Sequence, residues 1–483
     1  MSTYSIVWFR NDLRVHDHKP LTRAVMAGYP VIALYIFDPY EYRDLSYGFK
    51  KTGRHRAQFI QESLEDLRTN LAELNVPLVI RYKDPVDAFL ELSDYLTING
   101  VYLHEEIATE EQQTERGVRK ALPGVPFYVD HGHNLFPPED LPFSIKDVPD
   151  TFSQFRKRIE KIGMMPPQAL APPQTAVKAE LPNKLEEGKI RGAAVSGREV
   201  QREEARYRGG STAAKRRLRD YIFTKDRLRI YKETRNGMLL EDDSSKFSPY
   251  LANGNLSPRV VYEQIQHYER AYTKNESTYM LYFELLWRDY FHLVHRKYGD
   301  RFFYKTGLTG LEIPWKTSDE HLQAWMDGRT GYPLVDAGMR ELKQTGFMSN
   351  RARQNVASFF TKNLGLDWRI GAAWFESQLV DYDVSSNYGN WLYTAGVGND
   401  AVSFRAFNVE KQAEDYDPDG DYLRCWLPEL RELPVPWIFK PREMGMIEQE
   451  QYGVHLGEDY PFPIIDLYES MREMKTAFEE ASK

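Results

Sequence analysis

The sequence predicts a two-part architecture: an N-terminal α/β domain on a doubly wound parallel sheet, and an all-α C-terminal domain. Three observations lead there. Over residues 1–132, short β-branched and aromatic runs alternate with helical patterns, as strands joined by crossover helices do. Pro-Pro pairs then punctuate residues 133–197, which are expected to be an inter-domain connection without regular elements. From 198 to 483 apolar residues recur at helical spacing. At 483 residues the chain exceeds one ordinary core, so more than one domain is expected on size alone.

Strands are predicted at 5–9, 31–37, 77–82, 100–104 and 126–130. Between the second and third, Ile60, Leu64, Leu67, Leu71 and Leu74 share one helical face, which would cover the sheet. Such sheets bind ligands at the carboxyl ends of their strands, yet no Gly-x-Gly-x-x-Gly follows the first strand. In the C-terminal part, residues 278–298 are apolar almost all round and predict a buried helix. A short polar helix is expected near 471–483.

Composition sets limits. Hydrophobic residues make up 42% and charged residues 28%, the balance of a globular chain rather than a disordered one. The net charge of −8 gives no global attraction for nucleic acid, so any such contact needs a local patch. One candidate patch runs from Arg198 to Arg235, with thirteen Lys or Arg against six Asp or Glu. There Lys225, Arg227, Arg229 and Lys232 alternate with Tyr221, Phe223 and Tyr231, a mixture suited to phosphate contact and base stacking or to a solvated helix face. A single cysteine, Cys425, excludes an intramolecular disulfide and a cysteine-based metal site. His16 and His18, and His131 and His133, lack a further ligand at suitable spacing, so no metal is expected. Neither a secretory signal nor a membrane span is evident, and a cytoplasmic monomer is expected.

Chemistry concentrates in the last part of the chain. Trp315, Trp368 and Trp391 stand 53 and 23 positions apart, among Asn350, Arg353, Asp381, Asp383 and Asn387. Indoles beside charged and amide groups suit a site that holds a charged redox cofactor and passes electrons to it. The same residue types would also make a structural polar network, since buried polar groups must be paired in either case. Glu284, Trp287 and Arg288 lie at i, i+3 and i+4 and share a helix face, as a site or as an internal Glu–Arg pair beside a core Trp. The run Ser244-Ser245-Lys246-Phe247-Ser248-Pro249 precedes a helix start, as an ordinary cap or as a phosphate-binding turn.

Taken together, these segments resemble the photolyase/cryptochrome family over essentially the whole chain. The resemblance rests on Val7-Trp-Phe-Arg-Asn-Asp-Leu-Arg14-Val-His-Asp17, Phe283-Glu-Leu-Leu-Trp-Arg-Asp289 and Thr330-Gly-Tyr-Pro-Leu-Val-Asp-Ala337. Gly346-Phe-Met-Ser-Asn-Arg351 and Asp381-Tyr-Asp-Val-Ser-Ser-Asn-Tyr-Gly-Asn-Trp391 complete it. Lys232-Glu-Thr-Arg-Asn-Gly-Met238, followed by the Ser244–Ser248 run, is most similar to the DASH cryptochrome branch.

That resemblance implies FAD in the helical domain. Tyr231 and Ser244, Ser245, Lys246, Phe247 and Ser248 match positions that hold its phosphates. Glu284, Arg288, Asn350, Arg353, Asp381 and Asp383 match the cradle, and Asn387 the residue facing flavin N5. Trp391, Trp368 and Trp315 match the inner, middle and surface members of a photoreduction relay. The implied activity is light-driven splitting of cyclobutane pyrimidine dimers in DNA, with Glu284, Trp287 and Arg405 on the lesion side. Gln354 and Tyr393 stand where enzymes acting on duplex DNA carry Met and a second Trp, so a preference for single-stranded DNA is expected. Asn350 and Gln354 also stand where (6-4) enzymes carry paired histidines, which speaks against that activity. Glu106 matches a carboxylate that holds an antenna, usually 5,10-methenyltetrahydrofolate in this branch, with a deazaflavin or an empty site as the alternatives. The alternative function is a blue-light photoreceptor that signals, or regulates transcription, through its flavin; no long C-terminal extension is apparent to serve it.

Overall fold

The computed structural model of the chain describes residues 2–182, 185–190, 206–399 and 404–483. Part of the expected connection, and Arg198 and Arg202 of the basic stretch, lie outside the described residues. The chain forms two compact units. The first comprises Met1–Lys232, Ser245–Asp300 and Val380–Ser386, and the second Glu233–Ser244, Arg301–Leu379 and Asn387–Lys483.

The first unit holds an all-parallel sheet in the order β3-β2-β1-β4-β5. Its strands are β1 (Thr3–Phe9), β2 (Val31–Phe37), β3 (Leu78–Tyr82), β4 (Thr97–His104) and β5 (Phe127–Asp130). Successive side chains of a strand point to opposite faces, so β1 serves two cores at once. Val7 and Phe9 join Ala33, Leu78 and Ile80 under the helices Lys19–Met26 and Arg54–Ala72. Tyr4, Ile6 and Trp8 join Leu34, Val79 and Leu103 under Pro85–Tyr95 and Thr109–Ala121. Burial on both faces is what near-continuous apolar strands require. Strand order reverses between β1 and β4, which makes their carboxyl ends the topological switch point.

The connection differs from expectation. It contains a helix, Phe152–Ile162, whose Phe152, Phe155 and Ile159 are buried. Prolines mark where chain direction changes, but they do not prevent a helix between them. The long helix Glu276–Tyr298 begins at Asn275, whose side chain accepts from the Ser277 and Thr278 N–H groups, both at 2.9 Å. It is not buried all round: Asp289 to His295 are, whereas Glu284, Trp287 and Arg288 are half-buried. Asp289 holds the backbone N–H groups of Leu135 and Phe136, each at 2.9 Å.

The second unit is helical. It includes Asp319–Asp327, Pro333–Thr345, Asn350–Ser358, Trp368–Gln378, Val409–Tyr416 and Leu467–Ala481. The 330–337 motif has a structural role here. Buried Asp336 accepts from Thr330 N and Oγ1 at 2.7 Å, Gly331 N at 3.0 Å and the Tyr460 hydroxyl at 2.6 Å. Among the described residues no helix is long and apolar enough to cross a membrane.

Candidate functional site

At the sheet's switch point, the segments after β1 and β4 bring Asn11 and Glu106 together, Nδ2 donating to Oε1 at 3.2 Å. Arg10 Nε lies 4.0 Å and His133 Nε2 3.8 Å from the same oxygen. Burial, reinforced by Glu111 and Asp12, pushes the Glu106 carboxyl up to about 8 against the pull of Arg10. The shift favours the neutral carboxyl at pH 7. His133 Nε2 and Arg10 Nη1 are buried without hydrogen-bond partners of their own.

Beside it, Asp12, His18 and His104 place ligand-type atoms within 4.8 Å of one another. Sequence spacing offered His18 no such neighbours; folding brings them from the segment after β1 and from the end of β4. The hydrogen bonds assign the protons. The Leu21 N–H donates to His18 Nδ1 at 3.0 Å, so Nε2 carries the ring proton of the neutral imidazole and gives it to Asp12 Oδ2 at 2.8 Å. His104 Nδ1 reaches the same oxygen at 2.8 Å. Burial drives His104 down to about 3, so it too is neutral and donates. A cation at His18 Nε2 would have to displace that proton while Nδ1 stays an acceptor, which requires an imidazolate. Burial alone would raise Asp12, yet the hydrogen bonds from His104 and His18 hold it well below the usual carboxylate range. The His131-Gly132-His133 spacing is steric instead: a Cβ at Gly132 would lie 2.0 Å from His104 Nε2.

Elsewhere in the first unit, the helix Glu276–Tyr298 meets the 380–386 segment. Asn253 Nδ2 fixes that segment by donating to Val380 O at 2.8 Å. Arg288 pairs with Asp383 at 3.5 Å, not with Glu284, and also donates to the carbonyls of His133 and Leu251. His292, one turn on, meets Asp383 Oδ2 at 2.8 Å, and the Ser386 N–H donates to Oδ1 at 2.7 Å. Burial works against the charge on Asp383, but His292 and Arg288 outweigh it and keep the carboxyl ionised far into acid. His292 was missed from sequence, although it continues the i+4 series Glu284, Arg288. Trp287 stacks on Phe152, centroids 3.8 Å apart and 12° from parallel. Asp381 is buried.

In the Ser244–Ser248 run, Ser245, Lys246 and Phe247 are buried, Ser244 half-buried and Ser248 exposed. Lys246 sits at φ +54°, a left-handed conformation that costs a non-glycine residue roughly 1 kcal/mol. Arg217 Nε donates to Ser245 O at 2.9 Å. Tyr221 packs edge-on against both Tyr231 and Phe247. Tyr221 and Tyr231 are buried, and Phe223 packs on His267 and Tyr268, so these rings are core rather than an open stacking surface.

In the second unit, Trp391 is 2% exposed, Trp368 0% and Trp315 8%. Gly371 makes room for Trp391, since a Cβ there would lie 2.3 Å from its ring. Trp368 donates Nε1–H to Lys305 O at 3.2 Å and touches Tyr388 edge-on at 6.0 Å. Trp315 packs on Phe478 at 6.1 Å. Asn387 donates Nδ2 to Ala372 O at 3.0 Å, which turns its amide oxygen the other way. Asn350 is exposed, Arg353 Nε donates to Met348 O at 2.8 Å, and Gln354 Oε1 accepts from Arg351 at 3.1 Å. Tyr393 is half-buried and Arg405 exposed.

Residues 5–175 match the DNA photolyase family, and residues 280–480 match the FAD-binding domain of DNA photolyase. A Gloeobacter violaceus protein named cryptochrome DASH is 50% identical over 478 residues, spanning 97% of this chain and 95% of its own. The solved Synechocystis sp. cryptochrome has a TM-score of 0.92 at 45% identity, covering 98% of this chain and 99% of that one. A class III photolyase from Agrobacterium tumefaciens has a TM-score of 0.87 at 30% identity, covering 100% and 98%. The ordered motifs, the parallel sheet and the helical FAD-binding region have one common explanation: the chain belongs to the photolyase/cryptochrome family, beside the proteins named cryptochrome DASH.

Proposed function

We propose that this chain uses FAD and blue light to split cyclobutane pyrimidine dimers, chiefly in single-stranded DNA. The observation that carries the reading is the partial exposure of Glu284 and Trp287 on a helix whose following turns are buried. A plain core helix has no need of an accessible carboxyl and indole there.

The residues present fit the cofactor. Lys246 is held in a strained turn ahead of a helix start, where backbone N–H groups suit phosphate. His292 Nδ1 is buried without a partner beside the ionised Asp383. Asn387 presents an amide oxygen whose orientation its other end fixes. The chemistry supplied by bound reduced FAD is light absorption and donation of one electron to the dimer. The chain's part is to hold, orient and keep water out. Glu284 would hydrogen-bond the dimer's polar edge, Trp287 would stack against a base, and Arg405 would meet a phosphate. Gln354 and Tyr393 offer a weaker apolar grip on an extruded dimer than Met and Trp, and extrusion costs least in single strands. Methenyltetrahydrofolate at Glu106 is the antenna we propose. A neutral buried carboxyl offers one donor and one acceptor to a pterin edge, beside the unpartnered His133 Nε2 and Arg10 Nη1.

Dimer repair measured on single-stranded and duplex DNA tests the reading. Repair of single strands well above duplex is expected; equal repair would remove the strand preference, and none on either would favour the photoreceptor alternative that the relatives' name suggests. Glu284→Ala is expected to lower the repair yield with folding unchanged.

A further inference from the structure

The indole in ring contact with Trp391 is Trp325, not a member of the expected relay. Their centroids lie 6.4 Å apart at 73°. Phe360 and Phe375 flank both rings, at 4.6 and 6.2 Å from Trp325 and at 5.7 and 5.1 Å from Trp391. The two indoles differ at their polar ends. Trp325 donates Nε1–H to Val356 O at 3.1 Å, whereas Trp391 Nε1 has no hydrogen-bond partner among the described residues. An indole that loses an electron becomes a cation with a much more acidic N–H. A carbonyl oxygen facing that N–H stabilises the cation; an N–H facing no acceptor gains nothing. In a cluster this well enclosed, water screens little of the difference.

We propose that Trp325 is a further redox-active indole of this chain, a side arm on which the hole left by electron loss from Trp391 comes to rest. The inference depends on Trp391 being the inner relay residue. The step balances: one electron passes from Trp325 to oxidised Trp391, which returns to neutral, and Trp325 becomes the cation radical. Its proton stays in the bond to Val356 O, because the ring is 0% exposed and no water can take it. The oxidant that would first empty Trp391 is photoexcited FAD in its oxidised form, the state that precedes the reduced one of the proposed function. Trp368 competes for the same hole, since its N–H also faces a carbonyl, that of Lys305. Trp391 is thus a fork. The Trp325 arm is closed to external donors, so it stores the hole and returns it.

The test follows indole-radical absorbance after a blue flash in the FAD-loaded protein. Trp368→Phe blocks the expected relay, and Trp368→Phe with Trp325→Phe blocks both arms. The radical is expected to decay about tenfold faster in the double variant, which corresponds to a hole resting ~1.4 kcal/mol lower on Trp325. Equal decays overturn the side arm. Trp391→Phe separates the two ideas. A radical that survives it ends the relay reading and the side arm together. A radical that it removes, with no effect of Trp325→Phe, ends the side arm alone. If Trp325→Phe unfolds the chain, Trp325→Tyr, whose protonated phenol is harder to oxidise, takes its place with the same expectation. A readout independent of photochemistry is amide-type exchange of the indole N–H, assigned by its loss in the variant. Slow exchange is expected at Trp325, and exchange as fast as at an exposed indole overturns the bond to Val356.

Discussion

Two carboxylates of the first unit and the ring cluster of the second bury polar atoms in opposite ways. Each of the two carboxylates is saturated: at the carboxyl end of the sheet Asp12 takes His18, His104 and the Arg10 N–H, and beside the helix Glu276–Tyr298 Asp383 takes His292, Arg288 and the Ser386 N–H. Around Trp391, Phe360, Phe375 and Trp325 enclose an indole whose N–H has no acceptor. A buried charge that must persist needs every donor it can reach. A ring that carries charge only in passing is better left without one, because an acceptor would make it a resting place. The contrast is between carboxylates that hold a charge and a ring that, in the proposed relay, hands one on.

The largest expected effect breaks the aromatic side. Trp391→Phe should abolish flavin photoreduction by external donors while FAD stays bound, read from flavin absorbance; unchanged photoreduction would show that the cluster is only packing. Next is the saturated side. Asp383→Ala leaves Arg288 and His292 without their carboxylate and should cost about 3–5 kcal/mol in urea unfolding. The sign with pH follows from the depressed folded value: Asp383 stabilises fully above its unfolded pKa near 3.8, and that contribution is lost as pH falls. The variant should therefore lose less stability than the parent on acidification, and equal acid sensitivity would mean another carboxylate dominates.

Smaller effects sharpen the comparison. Gly371→Ala drives a methyl into the Trp391 ring and should cost about 2–3 kcal/mol, with a shifted indole emission. A neutral outcome would show that the ring has room to move. Smallest is Glu106→Gln. The Glu106 carboxyl is raised to about 8 from 4.5, so its contribution is complete at low pH and fades as pH rises through 8. The amide should be the more stable form at pH 9 and indistinguishable from the carboxyl at pH 4. Melting curves at both values would reveal a charged Glu106 if the difference were absent.

Much of the fold was legible from sequence because its signals are local. The alternation of β1 and the helical stripe from Ile60 to Leu71 follow from strand and helix periods, and all five predicted strands form with ends shifted by a few residues at most. The helix Phe152–Ile162 was overlooked because prolines around it drew attention from the spacing of Phe152, Phe155 and Ile159. Arg288 and Asp383 were both legible as candidate cradle residues, but their pairing was not, since they come from distant segments. His292 became legible only once Asp383 lay beside it. Trp325 stands alone in an ordinary amphipathic helix, with nothing in its neighbours to mark it.

The alternation of strands and helices, the positions of the three tryptophans proposed as a relay and the motifs that identify the family were all readable along the chain. Each is written in spacing along the chain, which backbone periodicity converts directly into direction. Only through-space packing settled that burial raises Glu106, that His18 faces Asp12, and which indole Trp391 touches. Those are properties of through-space neighbours, and protonation, hydrogen bonding and electron transfer all depend on distance in space rather than along the chain.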